Sequence, residues 1–191
     1  MSAPLALPRR AHVPGAGTEP DRAPLEAAKA LVRRPVIAAA WEGNQPYRYG
    51  AALCLEGFFW EAHEVWEAVW LACPPNSRER RFLRALIQIA NAALKLRMGR
   101  ANAARRLLAE AEELIGECLA AGAGAGLMGV DLPELRRALA GTEPELRPER
   151  RPERLPVTAE ALLRPLRGIV EGWTRPGTCI IVHANERKAA L

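Results

Sequence analysis

The chain has 191 residues, 49% hydrophobic and 26% charged, with a formal net charge of +5. That suits one domain with tails and enough apolar side chain for a core, and no apolar run approaches the roughly 18 residues that span a bilayer. The mild positive balance permits contact with nucleic acid but does not argue for it, because the arginines are interspersed with glutamates.

The N-terminal sequence MSAPLALPRRAHVPGAG has too little continuous apolar sequence for a signal peptide, so a soluble cytoplasmic protein without a membrane partner is expected. Cys54, Cys73, Cys118 and Cys179 show no Cys-x-x-Cys pairing, which fits reduced core thiols better than a zinc cluster.

Residues 1–24 carry Pro4, Pro8, Pro14, Pro20 and Pro24 with glycines between them, and are expected to be disordered. A short helix is predicted over 25–34, stopped by Pro35, with VIAAAW (36–41) continuing it after a kink. After the break at Gly43, Asn44 and Pro46, a helix over 47–56 ends at Gly57 and another runs over 58–71 to Pro74 and Pro75. Asn76 is the expected cap of the longest helix, 77–98, with Glu79 completing a capping box. Apolar residues cover well over one stripe of that helix, and Arg84, Gln88, Asn91 and Lys95 form a separate polar stripe. A fourth helix follows Gly99 over 101–120, with Leu107, Leu108, Ala111, Leu114, Ile115 and Cys118 facing inward.

Gly122, Gly124, Gly126 and Gly129 read as a flexible loop, after which Asp131 caps a short helix with Pro133 in its first turn. The Pro-, Glu- and Arg-rich stretch 142–156 reads as a linker. Beyond it lie a short amphipathic helix from Thr158 to Trp173, broken by Pro165, and a strand-like TCIIVH (178–183) without a sequence partner. The fold class is therefore all-α: a compact antiparallel bundle of about four helices over 35–141, between flexible extensions at 1–34 and 142–191.

The stretch FFWEAHEVWEAVWL (58–71) carries the chemistry. At helical spacing Phe59, His63, Trp66, Glu67 and Trp70 share a face, and an aromatic face is expected to turn inward. A buried imidazole and carboxylate must satisfy each other or share a third group, since an unpartnered polar group costs roughly 2–7 kcal/mol. Antiparallel packing across Pro74 and Pro75 brings His63 level with 87–91. The expected ligand pocket is thus His63, Glu67, Trp70, Gln88 and Asn91, with Lys95 next. Glu61 and Glu64 read as a solvated face that complements the helix dipole. His-Glu-x-x-Glu lacks the second histidine of the metalloprotease motif, and His12 and His183 lie in the tails.

The arrangement His-x-x-x-Glu-x-x-Trp preceded by Glu-Ala, formed by Glu61, Ala62, His63, Glu64, Glu67 and Trp70, resembles the signature of the domain of unknown function family 309. The likeness continues through Leu86, Ile87 and Gln88 and covers roughly residues 46–119. Gly99-Arg100 and Ala103-Ala104 depart from the family pattern at the junction of the two long helices. The resemblance implies a bacterial or archaeal, all-helical protein without an established activity. It also implies His63 and Glu67 as ligands of a divalent metal ion.

Two functional classes stay open. In one, His63 is a base or metal ligand with Glu67 as its orienter or co-ligand, and a small molecule is the partner. In the other, a helical adaptor keeps the His63–Glu67 pair as structure and docks a protein. Nucleic acid is disfavoured, because Glu61, Glu64 and Glu67 make the motif helix a poor match for phosphate.

Overall fold

The computed structural model describes residues 5–17, 19–122, 124–142 and 162–171. It is predominantly helical, with one two-stranded hairpin. In chain order the helices are α1 (Arg22–Lys29), α2 (Gln45–Leu55), α3 (Phe59–Leu71), α4 (Arg78–Arg97), α5 (Ala101–Ala120), α6 (Leu132–Ala140) and α7 (Arg167–Val170). A 3-10 segment, Ala38–Gly43, precedes α2, and a second, Arg164–Leu166, leads into α7. No helix among the described residues is long and apolar enough to cross a membrane.

Helices α2 to α5 pack in sequence, most extensively at α4 on α5, and α1 and α6 join them at α3 and α5. The core follows the apolar stripes. Phe82, Leu86, Ile89 and Ala93 of α4 are fully buried, as are Ala104, Ala111, Ile115 and Cys118 of α5.

Several local readings change. Helix α1 begins earlier than predicted, after Asp21, and stops at Lys29, while 38–43 winds as a 3-10 helix. Ser77, not Asn76, caps α4, accepting the Arg80 N–H at 3.1 Å. Asn76 sits at φ 60° in the turn before it. Glu79 does not fold back on the cap. It accepts the Ala38 N–H at 3.0 Å and ties the 3-10 segment to α4. Asp131 caps α6 as read, accepting the Glu134 N–H at 2.7 Å.

The glycine loop holds a hairpin, β1 (Gly126–Leu127) against β2 (Val130–Asp131), with Gly126 opposite Asp131. Its two turn residues, Met128 (φ 49°) and Gly129 (φ 81°), both take the left-handed conformation that a two-residue hairpin turn requires.

Residues 162–171 contribute to the core through Leu162, Leu163, Leu166 and Ile169. Arg48 of α2 holds them, donating from Nε to the Ile169 carbonyl at 3.0 Å and from Nη2 to the Glu171 carbonyl at 2.7 Å. The strand-like 178–183 and most of the 142–156 stretch lie outside the described residues.

Residues 5–13 carry neither helix nor strand, yet they make contacts that their composition alone does not disclose. Leu5 and Leu7 pack on the core, and Tyr49 donates from its hydroxyl to the Ala6 carbonyl at 2.6 Å.

Candidate functional site

Helix α3 is packed by α2, α4 and α1, and its buried residues are Phe59, Glu61, Ala62, Val65, Trp66 and Val69. At about 100° per residue that arc centres on Ala62, Val65 and Val69, with Phe59 and Trp66 at one side. His63 and Trp70 fall at its rim, and Glu67 falls outside it. The expected inward face is therefore corrected. Phe59 and Trp66 are inside, whereas the His63 side chain is 25% accessible and that of Glu67 51%.

The two groups are not a buried hydrogen-bonded pair. His63 Nε2 lies 3.9 Å from Glu67 Oε2, an ion-pair separation beyond hydrogen-bonding distance. Such a half-exposed pair contributes little to stability. His63 Nδ1, in contrast, is buried with no hydrogen-bond partner.

Glu64 completes the group. One ligating atom from each of His63, Glu64 and Glu67 lies within 4.8 Å of the others. Glu64 is not merely a solvated carboxylate, since Lys29 of α1 donates to its Oε2 at 3.1 Å and to Glu26 at 3.3 Å. Burial opposes the charge on Lys29, but these two carboxylates outweigh it and raise the Lys29 pKa. An imidazole and two carboxylates are a fitting donor set for zinc or manganese. Donors on one tetrahedral ion stand about 3.4 Å apart at ordinary bond lengths, so the three side chains have to draw together to close the set.

The expected pocket also takes in Trp70 and the polar stripe of α4. The Trp70 ring is covered by the Arg80 guanidinium at 4.1 Å, and Arg80 also donates to the Trp70 and Cys73 carbonyls at the α3–α4 turn. Gln88, Asn91 and Lys95 are half-buried on α4. Among the described residues, no hydrogen bond joins them to His63 or Glu67. Arg84, at the head of their stripe, pairs with Glu110 of α5.

Sequence reasoning missed Glu61. It is fully buried, its Oε1 accepts the His12 N–H at 2.7 Å, and its Oε2 has no partner. Desolvation raises its pKa, opposed by the His12 hydrogen bond and by the charges of His12 and Arg97. Arg97 donates to the Gly57 carbonyl at 2.7 Å and stacks on Phe59.

A carboxyl whose pKa is higher folded than unfolded binds its proton more readily in the native state. Its contribution to stability is then greatest below the unfolded value and falls as pH rises through the folded one. Glu61→Gln should therefore raise the melting temperature at neutral pH, with a gain that grows from about pH 4.5 upward. Calorimetric scans across pH check this. A gain that shrinks as pH rises contradicts it.

The described cysteines are inert. Burial pushes the Cys54 and Cys73 thiols up to about 12 and Cys118 up to about 11. At neutral pH they are protonated and poor metal ligands.

The family model for the domain of unknown function DUF309 matches residues 47–107. Those residues are a DUF309 domain. The match takes in α2 from Tyr47 onward, α3 and α4 entire and the first turns of α5, so the DUF309 domain contains His63, Glu64 and Glu67 but neither α1 nor residues 5–13. No curated protein and no solved structure matches the chain.

Proposed function

We propose that the DUF309 domain presents a divalent-cation site on the flank of α3, formed by His63, Glu64 and Glu67. The carrying observation is the convergence of their three ligating atoms within 4.8 Å. Three protein ligands leave a position open, as in sites where the metal polarises a water or a substrate. Lys29 holds Glu64 through a single ion pair, and a cation replaces it there. The architecture that carries the site is taken as a bundle of α2, α3, α4 and α5.

Protein purified without a histidine tag and stripped of metal should gain melting temperature on addition of zinc or manganese. At a hundredfold excess over Kd the gain corresponds to about 2.7 kcal/mol. His63→Ala and Glu67→Ala should each abolish the gain while leaving the metal-free melting temperature nearly unchanged. A wild type indifferent to the whole metal panel rules the site out.

A helical adaptor is the second reading. Ile37 and Leu71, each 50% exposed, supply the observation that favours it. They flank the hydrogen bond from the Val36 N–H to the Ala72 carbonyl and offer a small apolar patch for a protein partner.

A further inference from the structure

Glu61 and His63 are two residues apart on α3, about 200° around the helix, so the buried carboxylate does not belong to the cation site. Among the described residues, its one hydrogen-bond donor from another part of the chain comes from a segment 49 residues away. A carboxyl kept desolvated with one oxygen unmatched works against stability, and such groups concentrate where something binds.

What lies over Glu61 is a length of polypeptide held by hydrogen bonds to its backbone and by the packing of Leu5, Leu7 and Pro8. The Tyr49 hydroxyl donates to the Ala6 carbonyl at 2.6 Å, Pro8 is buried, and six residues on from Ala6 the His12 N–H donates to Glu61 at 2.7 Å. The His12 ring meets Trp60 edge-on, with centroids 4.8 Å apart. The Arg9 N–H also reaches Asp21, at 3.3 Å. On its other side the segment borders an open groove of about 860 Å³ towards α1, lined by Leu5, Leu7, Asp21, Pro24, Ala27 and Leu31 among others. It is fastened to α2 and α3 through Tyr49 and Glu61, and to the head of α1 through the contact of Arg9 with Asp21. A turn with Gly15 at φ 85° and Gly17 at φ 74° follows, and a Cβ at either would meet nothing within 4 Å.

We propose that the surface of α2 and α3 beneath residues 5–13 is a polypeptide-binding groove, and that the chain's own N-terminal segment occupies it as a displaceable internal ligand. The partner it fits is a proline-containing segment of another protein. That segment offers a carbonyl to Tyr49, an amide N–H six residues later to Glu61, and an aromatic or imidazole ring to Trp60. Because both anchoring hydrogen bonds are to main chain, recognition rests on backbone course and proline position. The tethered segment leaves Glu61 Oε2 unmatched, so an incoming segment with a further donor there has an advantage over it.

The test uses the full chain with a protease recognition sequence inserted between Gly15 and Ala16. After cleavage and removal of the freed segment, a labelled peptide of residues 5–13 is titrated in. The cut protein should keep its cooperative melting transition and bind the peptide saturably. Tyr49→Phe should weaken that binding about fivefold, the loss of one hydrogen bond. The uncut chain should bind at least about tenfold more weakly, because its tethered segment competes at high effective concentration. Binding should be the same with and without zinc, which separates this groove from the cation site. Loss of the cooperative transition on cleavage would make residues 5–13 part of the core and overturn the proposal. So would a folded cut chain that takes up no peptide, or equal binding by Tyr49→Phe.

Discussion

Replacing Trp66 with alanine should lower the unfolding free energy by about 3–5 kcal/mol, the largest loss expected from any single truncation in this chain. Trp66 is fully buried, and its indole Nε1 donates to the Tyr47 carbonyl at 3.0 Å. Tyr47 is buried as completely and donates from its hydroxyl to the Met128 carbonyl at 2.8 Å. One side chain on α3 thus braces α2, and through Tyr47 the β1–β2 hairpin. Alanine leaves a cavity at the centre of that arrangement and a carbonyl without its second donor. Urea titration should show the midpoint falling with an unchanged m-value. A loss under about 1 kcal/mol would show that α2 and α3 collapse onto each other without the ring.

Gly50→Ala should also destabilise, by up to about 2 kcal/mol net, although alanine is the better helix former by about 1 kcal/mol. A Cβ at position 50 of α2 would stand 2.5 Å from Trp66 Nε1 and 2.6 Å from Trp66 Cδ1. The ring is enclosed on all sides and cannot move away, so overpacking of about 1–3 kcal/mol outweighs the propensity gain. The cause is separable from other effects of the substitution. In a Trp66→Ala background the clash is gone, and Gly50→Ala should become neutral or stabilising. The double-mutant cycle therefore carries a large coupling energy. Simple additivity of the two losses would mean that Gly50 serves something other than the approach of the ring.

Most helix positions were legible because apolar periodicity and chain breakers agree. Gly57, Pro74 with Pro75, and Gly99 separate α2, α3, α4 and α5. The buried face of α3 was harder to read. Residues 59, 63, 66, 67 and 70 are neighbours along one side of a helix, but the aromatic ones alone do not fix which arc is enclosed. Contacts from α1, α2 and α4 centre that arc on Ala62, Val65 and Val69, leaving Glu67 in solvent. Glu61 was misread for a related reason. A carboxylate in a first helical turn has a sufficient local explanation in the helix dipole. Its burial depends on His12, whose arrival no periodicity announces. Likewise, choosing between Asn76 and Ser77 as the α4 cap requires backbone angles. Both are good cap residues, and Asn76 instead takes the left-handed position that it tolerates better than serine.

The Arg48 clamp on the carbonyls of Ile169 and Glu171 sets an order of assembly. It joins residues 121 and 123 positions apart in sequence, so its contacts form only after a long loop has been closed. Helices α4 and α5 pair across a short connection and can associate early. During synthesis from the N-terminus, everything the DUF309 match covers leaves the ribosome while the surface destined for Leu166 and Ile169 is still open to water. A nascent chain halted before residue 162 therefore exposes part of its own core. In the cell, that interval is when chaperones have most to grip.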